Sequence, residues 1–295
     1  MKTYNSIIIG SGLGGLTAGA LLALWGKKVL VLEQHYIAGG CATAFKRKDF
    51  LMEVGLHEID GLHDQDFKRP IMELLGLFKG VEFLKIPELY HIRKGDFSYV
   101  LSEGKQAKEQ LKRDFPKEEK NINEFFITIE KLYKEMHQMP RSKWLRRLIH
   151  PLMPLLYPAI ASTSRITAGE WLDKHFKDER LKTILTANMC YYADDPFNLS
   201  LMYFLVAQGS YLNGGGHFVK GGSQNLSKYL VHFIEQHGGQ VLTGKYAKEI
   251  LIENNRAIGV AYQDTFNRTI PMVKVYADTV IANAAQPNVV QMLPE

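Results

Sequence analysis

The chain has 295 residues, 46% hydrophobic and 23% charged, enough to bury one large core or two modest ones. Its net charge of +5 is mild, and no basic stripe with interleaved aromatics points to nucleic acid. Two cysteines, Cys41 and Cys190, exclude a disulfide framework and a thiolate metal set, so a reducing compartment fits. The N-terminus lacks the regions of a secretory signal, and no apolar run approaches the length of a spanning helix. A cytoplasmic protein is therefore expected.

Ser6 to Ile9 is an apolar run of strand type, followed at once by Gly10-Ser11-Gly12-Leu13-Gly14-Gly15. Helix formers from Leu16 to Trp25 end at Gly26, and Val29 to Leu32 is a second apolar run closing on Glu33. Strand, glycine turn, helix, strand and acid make the first βαβ unit of a dinucleotide-binding fold. Gly10 lets the chain turn sharply out of the strand, Gly12 admits a pyrophosphate to bare backbone, and Gly15 lets the helix pack on the sheet. The free N–H groups at the helix start face a phosphate, with the helix dipole favouring negative charge. Glu33 lies 18 positions after Gly15, where a carboxylate accepts from the ribose hydroxyls of an adenosine. An ordinary glycine-rich βαβ turn explains Gly26 but not that spacing.

Gly39-Gly40 supply a second stretch of bare backbone, which a flavin enzyme of the glutathione-reductase type needs and a nicotinamide dehydrogenase does not. The segment from Ile7 to Gly61 resembles the FAD-binding N-terminus of the phytoene desaturase, carotenoid isomerase and retinol saturase family. The resemblance is carried by Gly10, Gly12, Gly15, Leu32-Glu33-Gln34-His35, Gly39-Gly40-Cys41, Phe45, Val54-Gly55-Leu56-His57 and Gly61. It implies an α/β fold: a Rossmann-like FAD-binding domain with an inserted α+β substrate domain. The expected division is 1–65 and 218–295 for the FAD-binding domain and 66–217 for the substrate and membrane-interface domain. The implied cofactor is FAD, held by Gly10, Gly12, Gly14, Gly15, Glu33, Gln34, Gly39 and Gly40, with Ala247 backbone at the adenine and Asn283 toward the flavin. Full members of the family are considerably longer, with a further glycine-containing segment closing over the flavin. The expectation is of a fragment, a truncated product or half of a split protein.

In family terms Phe50 to Val54 is a strand leading to a turn beside the flavin, making His57 a candidate wall of the active site. The alternative is a histidine bonded only to neighbouring backbone. Cys41 reads as a small packed thiol. Pro70 to Leu77 reads as a short helix. Val81 to Leu84, Leu89 to Arg93 and Phe97 to Leu101 read as strands, the last two joined by Lys94-Gly95-Asp96, in a sheet able to floor a substrate cavity. Pro116 to Met139 is an amphipathic helix whose stripe is Ile122, Phe125, Phe126, Ile129, Leu132, Tyr133 and Met136.

Arg141 to Ser162 interleaves Arg141, Lys143, Arg146, Arg147 and His150 with Trp144, Leu145, Leu148 and Ile149, and Pro151, Pro154 and Pro158 rule out a spanning helix. Such a segment suits the membrane interface, from which a lipid substrate would enter, or else a proline-punctuated cap. Thr167-Ala168-Gly169-Glu170 is a capping box. Helices follow at about Arg180 to Met189 and Leu199 to Gln208, with Asp194-Asp195-Pro196 as the boundary between them rather than a metal site. Gly221-Gly222-Ser223 opens a helix from Gln224 to His237. Gln240 to Leu242 is a parallel strand, a hairpin turns at Asn254-Asn255-Arg256, and Asp278 to Ala282 re-enters the main sheet.

Three readings follow from the resemblance. The chain is an FAD-dependent oxidoreductase acting on carbon–carbon double bonds of a polyene or isoprenoid lipid, with an unidentified electron partner. Or it is an isomerase using reduced FAD without net redox change. Or it is a prenyl-lipid carrier of the dissociation-inhibitor kind, in which Glu33 would have no purpose.

Overall fold

The structure is a computed structural model that describes residues 4–102 and 104–294. It divides the chain into two compact units. The first takes the chain up to Ile59, Pro70–Leu84 and Phe218 onward; the second takes Asp60–Arg69 and Lys85–His217.

In the first unit β1 (Tyr4–Ile9), α1 (Leu13–Leu24) and β2 (Val29–Leu32) form the βαβ unit the spacing calls for. Later in the chain come α2 (Gln224–Gln236), β3 (Gln240–Leu242), β4 (Lys245–Glu253), β5 (Arg256–Asp264) and β6 (Val273–Ala282). The six strands form one sheet in the order β3-β2-β1-β6-β5-β4. β1 pairs in parallel with both β2 and β6, and β2 with β3. The hairpin β4–β5 turns through Asn254 and Asn255, both in the left-handed region at φ 48° and 62°, as a two-residue turn demands.

Ile7, Ile8 and all of β2 are buried, the continuous apolar pattern of strands covered on both faces. α1 lies close to both the sheet and α2 at Gly19. A Cβ there would stand 3.1 Å from Ile234 Cδ1 and 3.3 Å from Ile8 Cδ1. The segment 70–84 belongs with this unit rather than with the substrate domain expected from sequence. Tyr229 of α2 donates its hydroxyl to Leu75 O at 2.8 Å, and its ring takes the space a side chain at Gly80 would need. The expected short helix is broken there into Arg69–Leu74 and Leu77–Gly80 by Gly76, at φ 69°.

The second unit is helical around one aromatic core, with a hairpin of Tyr90–Lys94 and Phe97–Leu101. Helix Glu119–Gln138 buries Ile122, Phe125, Phe126, Ile129, Leu132 and Tyr133, the stripe its spacing predicts. Each such side chain contributes about 1.5–3 kcal/mol on burial. The Phe125 ring meets Trp171, Phe176 and Phe204 at centroid distances of 6.1, 6.5 and 6.4 Å. Thr167 caps helix Ala168–His175 through a full capping box with Glu170. Asp195 accepts from Phe197 N–H and Asn198 Nδ2 (2.9 and 2.7 Å), so the acid pair is a turn ahead of helix Leu201–Gly214. Among the described residues no cluster of His, Cys, Asp and Glu could hold a metal, and no helix is long and apolar enough to cross a membrane.

Candidate functional site

Glu33 follows β2, and its position is fixed by the sheet. Its N–H donates to Leu242 O at 2.9 Å and its carbonyl accepts from Lys245 N–H at 2.7 Å. The side chain is buried, 8% exposed, and turned onto the glycine turn. Oε2 accepts from both the N–H and the hydroxyl of Ser11, at 2.9 and 2.6 Å, and Oε1 accepts from His35 N–H at 2.8 Å. Ser11 Oγ in turn accepts from Gly39 N–H at 3.2 Å. Gly12 and Gly39 form a parallel bridge. The two bare stretches separated in sequence are thus one surface, with Ser11 as the clasp between them and the acid.

The glycines are required by contact as well as conformation. A Cβ on Gly15 would stand 2.1 Å from Gly10 O, and one on Gly40, at φ 59°, 3.1 Å from Gly12 Cα. Helix α1 starts from Gly12 with no side-chain cap and no acid in its first turn, which leaves its N–H groups to an anion. α2 supports the second stretch. Ser227 Oγ donates to Ala42 O at 2.7 Å and Gln224 Nε2 to Ala38 O at 3.0 Å. Glu53 accepts from both the N–H (2.8 Å) and the hydroxyl of Ser223, the residue that opens α2.

Asn283, expected toward the flavin, lies against the glycine turn. Its N–H donates to Ile9 O at 2.7 Å, and a Cβ on Gly14 would meet its Oδ1 at 2.8 Å. Ala247 packs its side chain into the core with Ile7 and Leu30, at an irregularity in the β4–β5 pairing. Gln34 is exposed. Cys41 is exposed rather than packed, because the loop from Gly40 holds it by backbone alone, its carbonyl accepting from Leu56 N–H at 3.1 Å. His57 is exposed and makes no hydrogen bond among the described residues, so the backbone-bonded alternative is not what the structure contains. A cavity of about 620 Å³ opens along Tyr36, Ala38, Gln224, Val241 and Thr243. Gln224 Oε1 is buried without a partner among the described residues, an acceptor ready for a donor.

The residues fit a dinucleotide: an acid past β2, a helix start free for phosphate, a cradle that any Cβ would fill, and a buried acceptor beside a cavity. Spacing located Glu33 and the glycines. It did not reveal Ser11 or Gln224, whose partners lie 22 or more positions away.

The second unit holds a separate cavity of about 390 Å³. Tyr133, Tyr191, Tyr192, Tyr203 and Tyr211 wall it with Phe67. At its polar end Lys68 Nζ lies 3.3 Å from Asp60 and 3.1 Å from Asp66, and 3.3 Å from Ser210 Oγ. Burial raises the hydroxyls of Tyr133 and Tyr192 far above the ordinary tyrosine value, so both stay neutral; Tyr133 donates to Val206 O at 2.8 Å and Tyr192 accepts from Gln208 Nε2 at 3.1 Å. No residue of the hairpin lines this cavity; helix Leu201–Gly214 supplies much of its wall.

The profile of the NAD(P)-binding Rossmann-like domain matches residues 8–74. The chain is 30% identical over 290 residues to the inactive all-trans-retinol 13,14-reductase of Danio rerio, covering 94% of this chain and 47% of that protein. It is 27% identical to the all-trans-retinol 13,14-reductase of Rattus norvegicus, with 100% and 49% covered. Against the chloroplastic prolycopene isomerase of Daucus carota it is 25% identical, with 97% and 46% covered. The chain thus spans about half the length of these curated relatives. Among solved structures, a putrescine oxidase matches with a TM-score of 0.62 at 15% identity, covering 99% of this chain and 60% of that one. A Rab dissociation inhibitor of Plasmodium falciparum matches at 0.59 and 14%, with 97% and 66% covered. These last two establish a shared fold.

Proposed function

Because the chain belongs to the family of retinol saturases, carotenoid isomerases and phytoene desaturases, we propose that it binds FAD and acts on a carbon–carbon double bond of a polyene or isoprenoid lipid. The observation that carries the cofactor reading is the clasp of Ser11 between Glu33 and Gly39, which turns two glycine stretches into one long bare surface. A dinucleotide with an extended second half uses both stretches; a nicotinamide nucleotide needs only the first. Glu33 accepts from the ribose, the N-terminus of α1 faces the diphosphate, and Gly39-Gly40 leave room for the chain beyond it.

Bound FAD supplies hydride chemistry at carbons that carry no polar handle. The chain's own part is to hold the lipid, exclude water and deliver a proton. The tyrosine cavity is the proposed seat of one end of the lipid, with apolar ring faces for the hydrocarbon. His57, with neither ring nitrogen engaged, is the proposed proton donor. A polyene of this kind resides in lipid, so it reaches the chain from a membrane surface.

The isomerase reading is favoured by the carrot relative's name; the carrier reading by the dissociation inhibitor's fold alone, and it leaves Glu33 unexplained. The purified protein should carry a flavin absorption band. Incubation with retinol or a carotenoid and reduced flavin without oxygen, then mass analysis, separates the readings. Gain of a hydrogen pair supports the reductase, and a geometric isomer of unchanged mass the isomerase. A colourless protein that refuses added FAD overturns both.

A further inference from the structure

The segment from Arg141 to Thr163 carries a feature that the fold of its unit does not use. Short helices Lys143–Ile149, Met153–Leu156 and Pro158–Thr163 run through it, punctuated by prolines. Leu145, Ile149, Met153, Tyr157 and Ile160 turn inward, at steps of four, four, four and three; the last three meet the aromatic core. One position ahead of most of them runs a second apolar stripe facing out. Trp144 is 70% exposed, Leu148 63%, Leu152 52% and Leu155 78%. A helix that only covers a core has one such stripe, with polar residues opposite. Large apolar side chains grouped at the surface mark an interaction site.

Charge decides what covers it. From Met136 to Gly169 the sequence has no Asp or Glu, and it has Arg141, Lys143, Arg146, Arg147 and Arg165. The nearest acid before it, Glu135, is turned away: its oxygens accept from Ala159 and Ile160 N–H at 3.1 and 2.9 Å, capping helix Pro158–Thr163. Among the described residues none of those five basic side chains has a carboxylate partner. Arg146 meets only a carbonyl, that of Arg141, at 3.1 Å.

We propose that this face docks on an anionic lipid bilayer, with Trp144, Leu148, Leu152 and Leu155 entering the headgroup–acyl boundary and Arg141, Lys143, Arg146 and Arg147 meeting lipid phosphates. The mixture of tryptophan, leucine and uncompensated arginine is that of helices lying in the interface. A protein partner would have to be both strongly acidic and apolar, whereas a bilayer with anionic lipid offers both chemistries at once. The proposal adds a partner to the function above and does not depend on FAD.

The test is flotation of the 295-residue chain with phosphatidylcholine vesicles, alone or with roughly a third phosphatidylserine. Binding should need the anionic lipid and weaken in high salt. Each basic side chain near such a surface raises partitioning about fivefold, so Arg146→Gln with Arg147→Gln should lower it about 25-fold. Leu148→Ser with Leu155→Ser should abolish it. These side chains are exposed, so the folds, checked by circular dichroism and flavin content, should be intact. Binding equal on both vesicle types, or unchanged in either double variant, overturns the proposal. So does pairing of two copies in vesicle-free sedimentation that the leucine variant abolishes. Loss of flavin in a Glu33 variant with vesicle binding intact would bear only on the cofactor.

Discussion

Replacing Glu33 by Ala tests the cofactor placement and yields a number. An ionised carboxylate has about four lone-pair directions. Three are taken by the protein: two donors from Ser11 and one from His35. One stays open, so one ribose hydroxyl can be added at no cost, and a second only by displacing His35 N–H. A hydrogen bond to a charged group is worth about 1.5–3 kcal/mol, so Glu33→Ala should weaken FAD binding by roughly 10- to 150-fold. The same change strips Ser11 N–H, wholly buried, of its acceptor, which costs about 1–3 kcal/mol of stability. Glu33→Gln separates the two effects. Its amide oxygen still serves Ser11, while its NH2 opposes His35 N–H. Its melting temperature should lie nearer the parent's, with FAD affinity as poor as in the Ala variant. Titration of FAD into cofactor-free protein by fluorescence quenching, beside thermal unfolding, measures both. An Ala variant that folds and binds FAD within about twofold of the parent refutes the placement. A loss beyond about 10⁴-fold refutes the count of one open direction.

Gly15→Ala should prevent the turn from forming, because its Cβ would stand 2.1 Å from Gly10 O, and flavin content should vanish. Gly26→Ala, at φ 72° with open space around it, should cost only about 1–2 kcal/mol in a melt and leave flavin bound. Ala207→Trp should fill the tyrosine cavity and abolish turnover of a polyene without altering flavin content; normal turnover would remove that cavity from the substrate path. Glu118 tests stability against pH. Burial raises its carboxyl, but bonds from Asn121 and from Lys177 and Asp178 N–H outweigh this and hold it below its ordinary value. Its stabilisation is full above the unfolded pKa and lost as pH falls through the folded one. Glu118→Gln should therefore cost about 1–3 kcal/mol at neutral pH, with the gap closing in acid denaturation profiles; a constant gap would contradict it.

The βαβ unit was legible because all its signals lie within one short stretch: apolar runs, glycine spacing and Glu33. The stripe of helix Glu119–Gln138 was legible for the same reason, one face repeating at helical spacing. What sequence left out depends on contacts between distant positions. Helix Gly104–Asp114 has a strongly polar sequence, and its identity as a helix rests on packing Ala107 and Leu111 into the aromatic core. The bond of Glu53 to Ser223 joins residues 170 apart. That Asn283 lies against the glycine turn was not legible, because its position is set by where β6 ends beside β1, a register no local pattern encodes. The clasp at Ser11 sat at a variable position of the glycine motif, where only the folded turn gives the hydroxyl its two neighbours.

The strand β6 has one consequence beyond its place in the sheet. Its first four residues, Val273 to Tyr276, pair antiparallel with β5, and Ala277 to Ala282 run parallel with β1. One unbroken backbone thus runs from the outer hairpin to the end of β6, and the next residue, Asn283, lies against the glycine turn. The outer hairpin and the glycine turn are tied through a single strand, so a substitution that breaks β6 in its middle would loosen both at once.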